Sequence, residues 1–397
     1  MENESFIENR SVVYDIADKK PSTDTPDRNY DDVATVLVST VLLIIIVVTV
    51  FMNALIIIAF CISREVRKLN NYFFFSLAIT DILMGAFVMP LMATEQLTGS
   101  WPYGKALCQT WLSMDYFLSS ASVFNMIVIC IDRYMNIIHP LSYPSRRTPG
   151  FVVKMIIIAW ILGFLTEVPA ILLWEPVSGE SMVNYTHSCE IEWVYNVPYQ
   201  VTSTVATVLV PFVIMIIMYS RMLCAVEKSM NWIRKHSLAP TPSPSPSMSL
   251  NRYISVNVVD RDFIDNGSLN AQRGLSTSTL SIARTSLQKS PSQISNVRKN
   301  KKSKRTRILN DKKTATTLGI LLAFFAVSWL PWQAVSIIDA TCNQFCVPIV
   351  VYDICLWLQY SNSMVNPFLY IFRDTSFRTA VKKILGWCTC RKQSSNS

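Results

Sequence analysis

The sequence predicts an all-α membrane protein: a seven-transmembrane helix bundle followed by a short amphipathic inner-surface helix. Three observations carry that prediction. Seven stretches are apolar over the roughly 20 residues that a bilayer crossing needs. Only 16% of the 397 residues are charged and 51% are hydrophobic, whereas a soluble domain usually carries about a quarter charged residues. The net charge of +9 is not spread like a nucleic-acid surface; the basic residues gather in alternate loops beside the apolar runs, the pattern that orients membrane helices.

The predicted spans are residues 36–62, 72–92, 108–138, 152–173, 197–224, 314–338 and 347–372. The organisation is then an extracellular tail at 1–35, spans one to five within 36–226, a third inner loop at 227–310, spans six and seven within 311–373, and a cytoplasmic helix and tail at 374–397. Span three is longer than a bilayer requires, so it tilts. An odd number of spans puts the termini on opposite sides. Arg64, Arg67 and Lys68 follow span one, Arg146 and Arg147 follow span three, and Arg298, Lys299, Lys301, Lys302, Lys304, Arg305 and Arg307 precede span six. The outer loops instead hold Glu175, Glu180, Glu190, Glu192 and Asp339, with Asp353 just inside span seven. The expected orientation is N-terminus extracellular in the plasma membrane, C-terminus cytoplasmic. No cleavable leader is expected, since no apolar run precedes Val33.

The sequons at Asn3, Asn9 and Asn184 fall on the outer side and are expected to be glycosylated; Asn266 falls inside and is expected to be silent. Residues 227–310 are rich in Ser, Pro and Arg and are expected to form a disordered cytoplasmic loop with phosphorylatable serines. Lys382 and Lys383 near Trp387 suit an anionic inner leaflet, and Cys388 and Cys390 are candidate palmitoylation sites.

Ionisable groups inside a span are costly and mark function by default. Four acids qualify: Asp81, Asp115, Asp132 and Glu167. Asp115 stands seven residues into span three after Cys108, about 10 Å along the helix. That is below the outer surface yet within reach of an extracellular ligand. Tyr116, Ser119 and Ser122 lie on or near its face, and no Lys or Arg in the outer halves of the spans offers a partner. An unpaired carboxylate there recruits a cation, and aromatic rings complete the cage. Arg133 follows 18 residues later, about 27 Å down the same helix. It is expected to pair with Asp132 beside it and with Asp311 at the foot of span six. Asp81 with Ser122, Asn362, Ser363 and Asn366 makes a polar pocket at bilayer depth suited to a small cation such as sodium. Pro211, Pro331 and Pro367 kink spans five, six and seven. Ser203, Thr204 and Thr207 give span five a hydroxyl face.

Three histidines, His139, His187 and His236, all lie in loops without metal-ligand spacing, and no nucleophile–base motif is present, so neither an enzyme nor a metal site is expected. A transporter would carry internal repeats and charges along a path, and neither is visible.

The motifs appear in a fixed order. Asn53 stands in span one, Leu77-Ala78-x-x-Asp81 in span two, Asp132-Arg133-Tyr134 ends span three, Trp160 marks span four, and Pro211 with Tyr219 marks span five. Phe325-x-x-x-Trp329-Leu330-Pro331 marks span six, Asn366-Pro367-Phe368-Leu369-Tyr370 closes span seven, and Phe377 begins the inner-surface helix. Together they resemble the rhodopsin-like family of G-protein-coupled receptors across all seven spans. Asp115, Trp357 and Tyr360 resemble its biogenic-amine branch. Pro140-Leu-Ser-Tyr-Pro144 and Pro169-Ala-Ile-Leu look muscarinic; Trp174-Glu-x-x-Ser-Gly179 and Trp357-Leu-Gln359 are similar to the third and fourth types of histamine receptor.

The resemblance implies a small cationic amine, histamine-like or acetylcholine-like, bound by Asp115, Tyr116, Ser119, Ser203, Thr207, Trp329, Trp332, Gln333, Trp357 and Tyr360. It implies a switch through Asp132, Arg133, Tyr134, Tyr219, Asp311 and Tyr370. Partners would be a heterotrimeric G protein of Gi/o or Gq type, receptor kinases, arrestin and membrane lipid. Disulfides Cys108–Cys189 and Cys342–Cys346 are implied in the same way. The departures are Thr207 where those histamine receptors place a glutamate, Trp332 and Gln333 after Pro331 where muscarinic receptors place Tyr and Asn, and Ser328 for the usual Cys. Glu167 in span four either supplies an acid near Thr207 or faces lipid-side neighbours. An orphan or constitutively active receptor without an amine ligand is the alternative.

Overall fold

A computed structural model describes residues 32–179, 181, 183–185, 188–237, 291–342 and 346–394. Every regular element among them is helical. Six helices are long and apolar enough to cross a membrane: Asp32–Ile62, Leu69–Thr98, Gly104–Ile138, Pro149–Ser178, Val197–Lys235 and Arg305–Thr341. The seventh, Ile349–Arg373, forms where span seven is expected but is more polar, because it buries Asp353, Gln359, Asn362, Ser363 and Asn366. Two compact units are present, residues 1–223 with 314–397, and residues 224–313. The sites described below belong to the first.

Local chemistry sets the helix ends. Thr148 caps span four by accepting from the Phe151 amide at 3.2 Å, and Pro149 supplies the first turn. Asn196 caps span five in the same way, accepting from the Tyr199 amide at 3.1 Å. Gly99 and Gly179 end spans two and four in the left-handed region, at φ +67° and +77°. Spans two and five each widen into a π-helical turn, Met84–Val88 and Val205–Leu209, immediately before Pro90 and Pro211. A proline ring clashes with the carbonyl four residues earlier. In both spans that carbonyl lies inside the widened turn, which moves it away from the ring.

Span three is the centre of the bundle, and span four packs on it at backbone contact. A Cβ on Gly163 would lie 2.8 Å from the Ala121 nitrogen and 2.9 Å from its Cα. Ala159, Gly163, Glu167 and Ile171 are all buried. Spaced four apart, they form one stripe along that contact face. Polar nodes join the other helices. The Asn53 amide donates to the carbonyls of Thr49 at 2.9 Å and Ser363 at 3.0 Å, tying span one to span seven. Trp160 Nε1 donates to Ser76 Oγ, which donates to Asn125 Oδ1, linking spans four, two and three. In hydrocarbon these donors have no water to fall back on, so paired nodes hold the helices in register.

The inner-surface helix spans Thr375–Ser394. Asp374 Oδ1 accepts from the Ser376 amide at 2.7 Å, and Phe377 is fully buried against the bundle. Cys388 and Cys390 lie in this helix, their side chains outside the described residues.

Both ends of the stretch expected to be disordered, residues 227–310, are helical. The helices Val210–Ser237 and Pro291–Thr341 carry spans five and six into it from both ends. Once nucleated in the apolar segment, a helix extends at one hydrogen bond per residue. No Gly or Pro interrupts residues 224–237, and after Pro291 none interrupts 292–313. Residues 238–290 lie outside the described residues, as do the sequons at Asn3, Asn9 and Asn266; Asn184 is exposed.

Candidate functional site

Asp115, Tyr116, Ser119, Ser203, Thr207, Trp329, Trp332 and Gln333 line one cavity among spans three, five and six. Asp115 accepts a hydrogen bond from the Tyr360 hydroxyl at 2.9 Å and one from Ser119 Oγ at 3.5 Å. No described Lys or Arg pairs with it, and none lines the cavity. The Thr207 hydroxyl donates to the Ser203 carbonyl at 2.9 Å in its own helix, which leaves it an acceptor toward the cavity. Trp329 stacks on Phe325 with centroids 5.0 Å apart, two residues before the Pro331 kink, and its Nε1 has no partner.

Trp357 and Tyr360 are not among the residues that line the cavity, although Tyr360 bonds Asp115. Trp357 Nε1 donates to Gln96 of span two, and its ring meets Tyr360 edge-on at 5.6 Å. The rotation of span seven gives Leu356 and Gln359 to the cavity instead. Tyr360 thus works from behind, fixing the Asp115 carboxylate.

The cavity also takes walls that spacing did not single out. Trp193, four residues after Cys189, is 1% exposed and meets Tyr116 edge-on at 6.0 Å. The Cys108–Cys189 disulfide ties this loop to the top of span three, so Cys189 was the available signal for a roof. Cys342 and Cys346 are also joined. Glu167 turns inward: it is 3% exposed, accepts from Ser120 Oγ at 2.8 Å, and lines the cavity.

At the other end of span three, Asp132 is fully buried. Its main partner is Arg147, whose Nε and Nη2 donate at 2.6 and 2.8 Å, with the Tyr143 hydroxyl at 2.9 Å. The expected pairing with Arg133 is only a 3.7 Å approach. Consecutive helix residues do not face each other, and the planar fork of Arg147 reaches both carboxylate oxygens from the loop. Burial and the Asp132 charge push the Tyr143 phenol well above its ordinary range, so it stays a donor. Tyr134 is half-buried. Asp311 belongs to the other unit.

The profile of the "7 transmembrane receptor (rhodopsin family)" matches residues 52–370. The chain belongs to that family. It is therefore a G-protein-coupled receptor and not an enzyme. It is 27% identical to the muscarinic acetylcholine receptor M4 of Gallus gallus, over 91% of each chain. It is 27% identical to the 5-hydroxytryptamine receptor 1A of Xenopus laevis, over 86% of this chain and 89% of that one. With the 5-hydroxytryptamine receptor 7 of Xenopus laevis the identity is 29%, over 90% and 78%.

Midway along the receptor, Asp81 is fully buried. Its Oδ2 accepts from the Asn366 amide at 3.1 Å, Ser363 also bonds the carboxylate, and Oδ1 has no partner. Asn362 is buried nearby in sequence, while Ser122 Oγ donates to Thr80 Oγ1 at 3.1 Å. An orphaned carboxylate oxygen among hydroxyl and amide oxygens fits a small hard cation. Below it, Tyr370 stacks on Phe74 at 4.1 Å with its hydroxyl unpaired, and Tyr219 of span five presses against Gly319 of span six.

The receptor's mouth is acidic. Glu190, Asp339, Asp353 and Glu95 all lie within electrostatic reach of Tyr352. Lys105, the one basic residue in the three outer loops, pairs with Glu175.

Proposed function

We propose that the receptor binds a small cationic amine from the extracellular side at Asp115 and passes the event to a heterotrimeric G protein at the inner end of span three. One observation carries this: a half-buried carboxylate with no basic partner among the described residues opens into a cavity walled by Tyr116, Trp329, Trp332 and Trp193. Such a group is stabilised by an ammonium, with aromatic faces adding cation–π attraction. The acidic mouth supports it, since a cleft of one sign raises the local concentration of the opposite charge. Relatives named for acetylcholine and 5-hydroxytryptamine, both cationic, support it too.

In this reading Ser119, Ser203, Thr207 and Gln333 meet the ligand's polar end, and Trp357 acts only through Tyr360. The ligand favours a state in which span six swings about Pro331, Trp329 shifts on Phe325, and Tyr219 leaves Gly319. Differential affinity for the two states drives the shift. Arg133 and Tyr134 serve the cleft for a Gi/o- or Gq-type G protein, later used by receptor kinases and arrestin. Sodium held by Asp81, Ser122, Asn362, Ser363 and Asn366 would favour the resting state. The N-terminus is extracellular, with glycans on Asn3, Asn9 and Asn184, and palmitoyl groups on Cys388 and Cys390 hold the inner-surface helix to lipid.

G-protein activation by a panel of amines tests the reading. Responses to at least one cationic amine are expected; high basal activity with no response to any amine contradicts it. Two variants sharpen it. Tyr360→Phe removes the donor that orients Asp115 and is expected to weaken agonist potency roughly tenfold, in a concentration–response assay, with maximal response retained. Arg147→Ala leaves Asp132 without its bidentate partner, so Asp132 and Arg133 are free to rearrange. Ligand-free G-protein activation is expected to rise severalfold; unchanged basal activity would make that pair a passive anchor.

A further inference from the structure

We propose that the ligand carries a second cationic group, or a strong N–H donor, a few bonds from its ammonium, and that Glu167 of span four receives it. The inference rests on the amine reading of Asp115 and deepens it.

The cavity holds two carboxylates and no cation. Glu167 is 3% exposed and lines it together with Asp115. Among the described residues Glu167 is bonded by Ser120 Oγ at 2.8 Å, and no described Lys or Arg neutralises it. A hydroxyl does not offset the cost of an acid at bilayer depth, so a counter-charge from outside the protein stabilises this position. Both acids are held by hydroxyls of span three. Ser119 bonds Asp115 and its neighbour Ser120 bonds Glu167. Ser119 and Ser120 are consecutive and point about 100° apart around the helix, so the two acids meet span three on adjacent faces. Tyr116 lies within electrostatic reach of both. Two acids in one cavity, each held by its own serine, suit the two ends of a short dication.

Further polar atoms in the same cavity await a ligand. Gln359 is 8% exposed and its Oε1 has no partner, and the Trp329 Nε1 is likewise unpaired. An acceptor on span seven in the cavity that Asp115 lines suits the N–H groups of a primary or secondary amine better than a fully methylated one. The Thr207 hydroxyl proton of span five, by contrast, is spent on its own backbone. The polar end of the ligand is therefore recognised from span four more than from span five.

The test uses the full-length receptor in cells, with surface amount measured by an N-terminal tag. Dicationic or second-donor probes are putrescine, cadaverine, agmatine and histamine. Probes with one charge and no second N–H group are n-butylamine and acetylcholine. Wild type is expected to prefer putrescine over n-butylamine, its counterpart lacking one amine. Glu167→Gln is expected to weaken the two-ended probes roughly 10- to 100-fold and leave the others unchanged. Glu167→Asp keeps the charge and is expected to retain more of the preference than Glu167→Gln, which separates a charge effect from a folding defect. Equal loss for every probe, or no loss for any, overturns the role of Glu167 while the amine reading stands if Asp115→Asn still abolishes the response. Responses that survive Asp115→Asn overturn the amine reading itself.

Discussion

Replacing Asp115 by Asn is expected to weaken the activating amine by about a hundredfold or more while the receptor reaches the surface in normal amount. Removing one partner of a buried ion pair costs on the order of 3–5 kcal/mol, because the other charge is left unpaired. That corresponds to roughly two to three powers of ten in affinity. Asparagine has the shape of aspartate, and its carbonyl still accepts the hydroxyl that Tyr360 donates at 2.9 Å. The fold therefore keeps its contact and loses only the charge. Radioligand competition and concentration–response curves, read beside surface amount, check it.

Gly163→Val is expected to remove most of the folded receptor. The Cβ alone would stand 2.8 Å from the Ala121 nitrogen. That neighbour is backbone, so it has no rotamer to swing away, and the helices must part. Overpacking of this kind costs typically about 1–3 kcal/mol, and the branched Cγ atoms add to it. The face affected also carries Ser120 and Glu167, so survivors should bind poorly. Gly150→Val is the control, since nothing lies within 4 Å of a Cβ there. Surface amount and the thermal half-life of solubilised receptor should fall for Gly163→Val and stay level for Gly150→Val. Equal behaviour would mean that spans three and four tolerate separation.

The bundle was legible because a bilayer imposes a crude rule on length and polarity, and the spans between residues 36 and 372 obey it. Asp115 was legible for the same reason: a lone acid in an apolar run is conspicuous without any knowledge of packing. What was not legible depends on helix rotation. Span four is apolar nearly all round, so the phase that turns Glu167 inward is not visible in its hydropathy. The clue was smaller: Ala159 and Gly163 precede Glu167 at intervals of four, and small residues mark the face where backbones meet. Span seven gave the opposite error. Trp357 and Tyr360 stand on the correct helix, but the cavity sees Leu356 and Gln359. The Asp132 partner was missed because Arg147 arrives from a loop whose path follows no periodicity. The helical ends of the third inner loop were missed because composition reports an inability to bury surface and says little about extension of a helix already nucleated.

Charge at one atom decides the central claim. The most direct measurement compares the best activating amine with its carbon isostere, in which the ammonium nitrogen is replaced by an uncharged carbon, on wild type and on Asp115→Asn. Wild type is expected to bind the charged form about a hundredfold or more better. In Asp115→Asn the two forms should bind within a few-fold of each other. A neutral isostere that binds wild type equally well, or a gap that persists without the Asp115 carboxylate, would contradict the account.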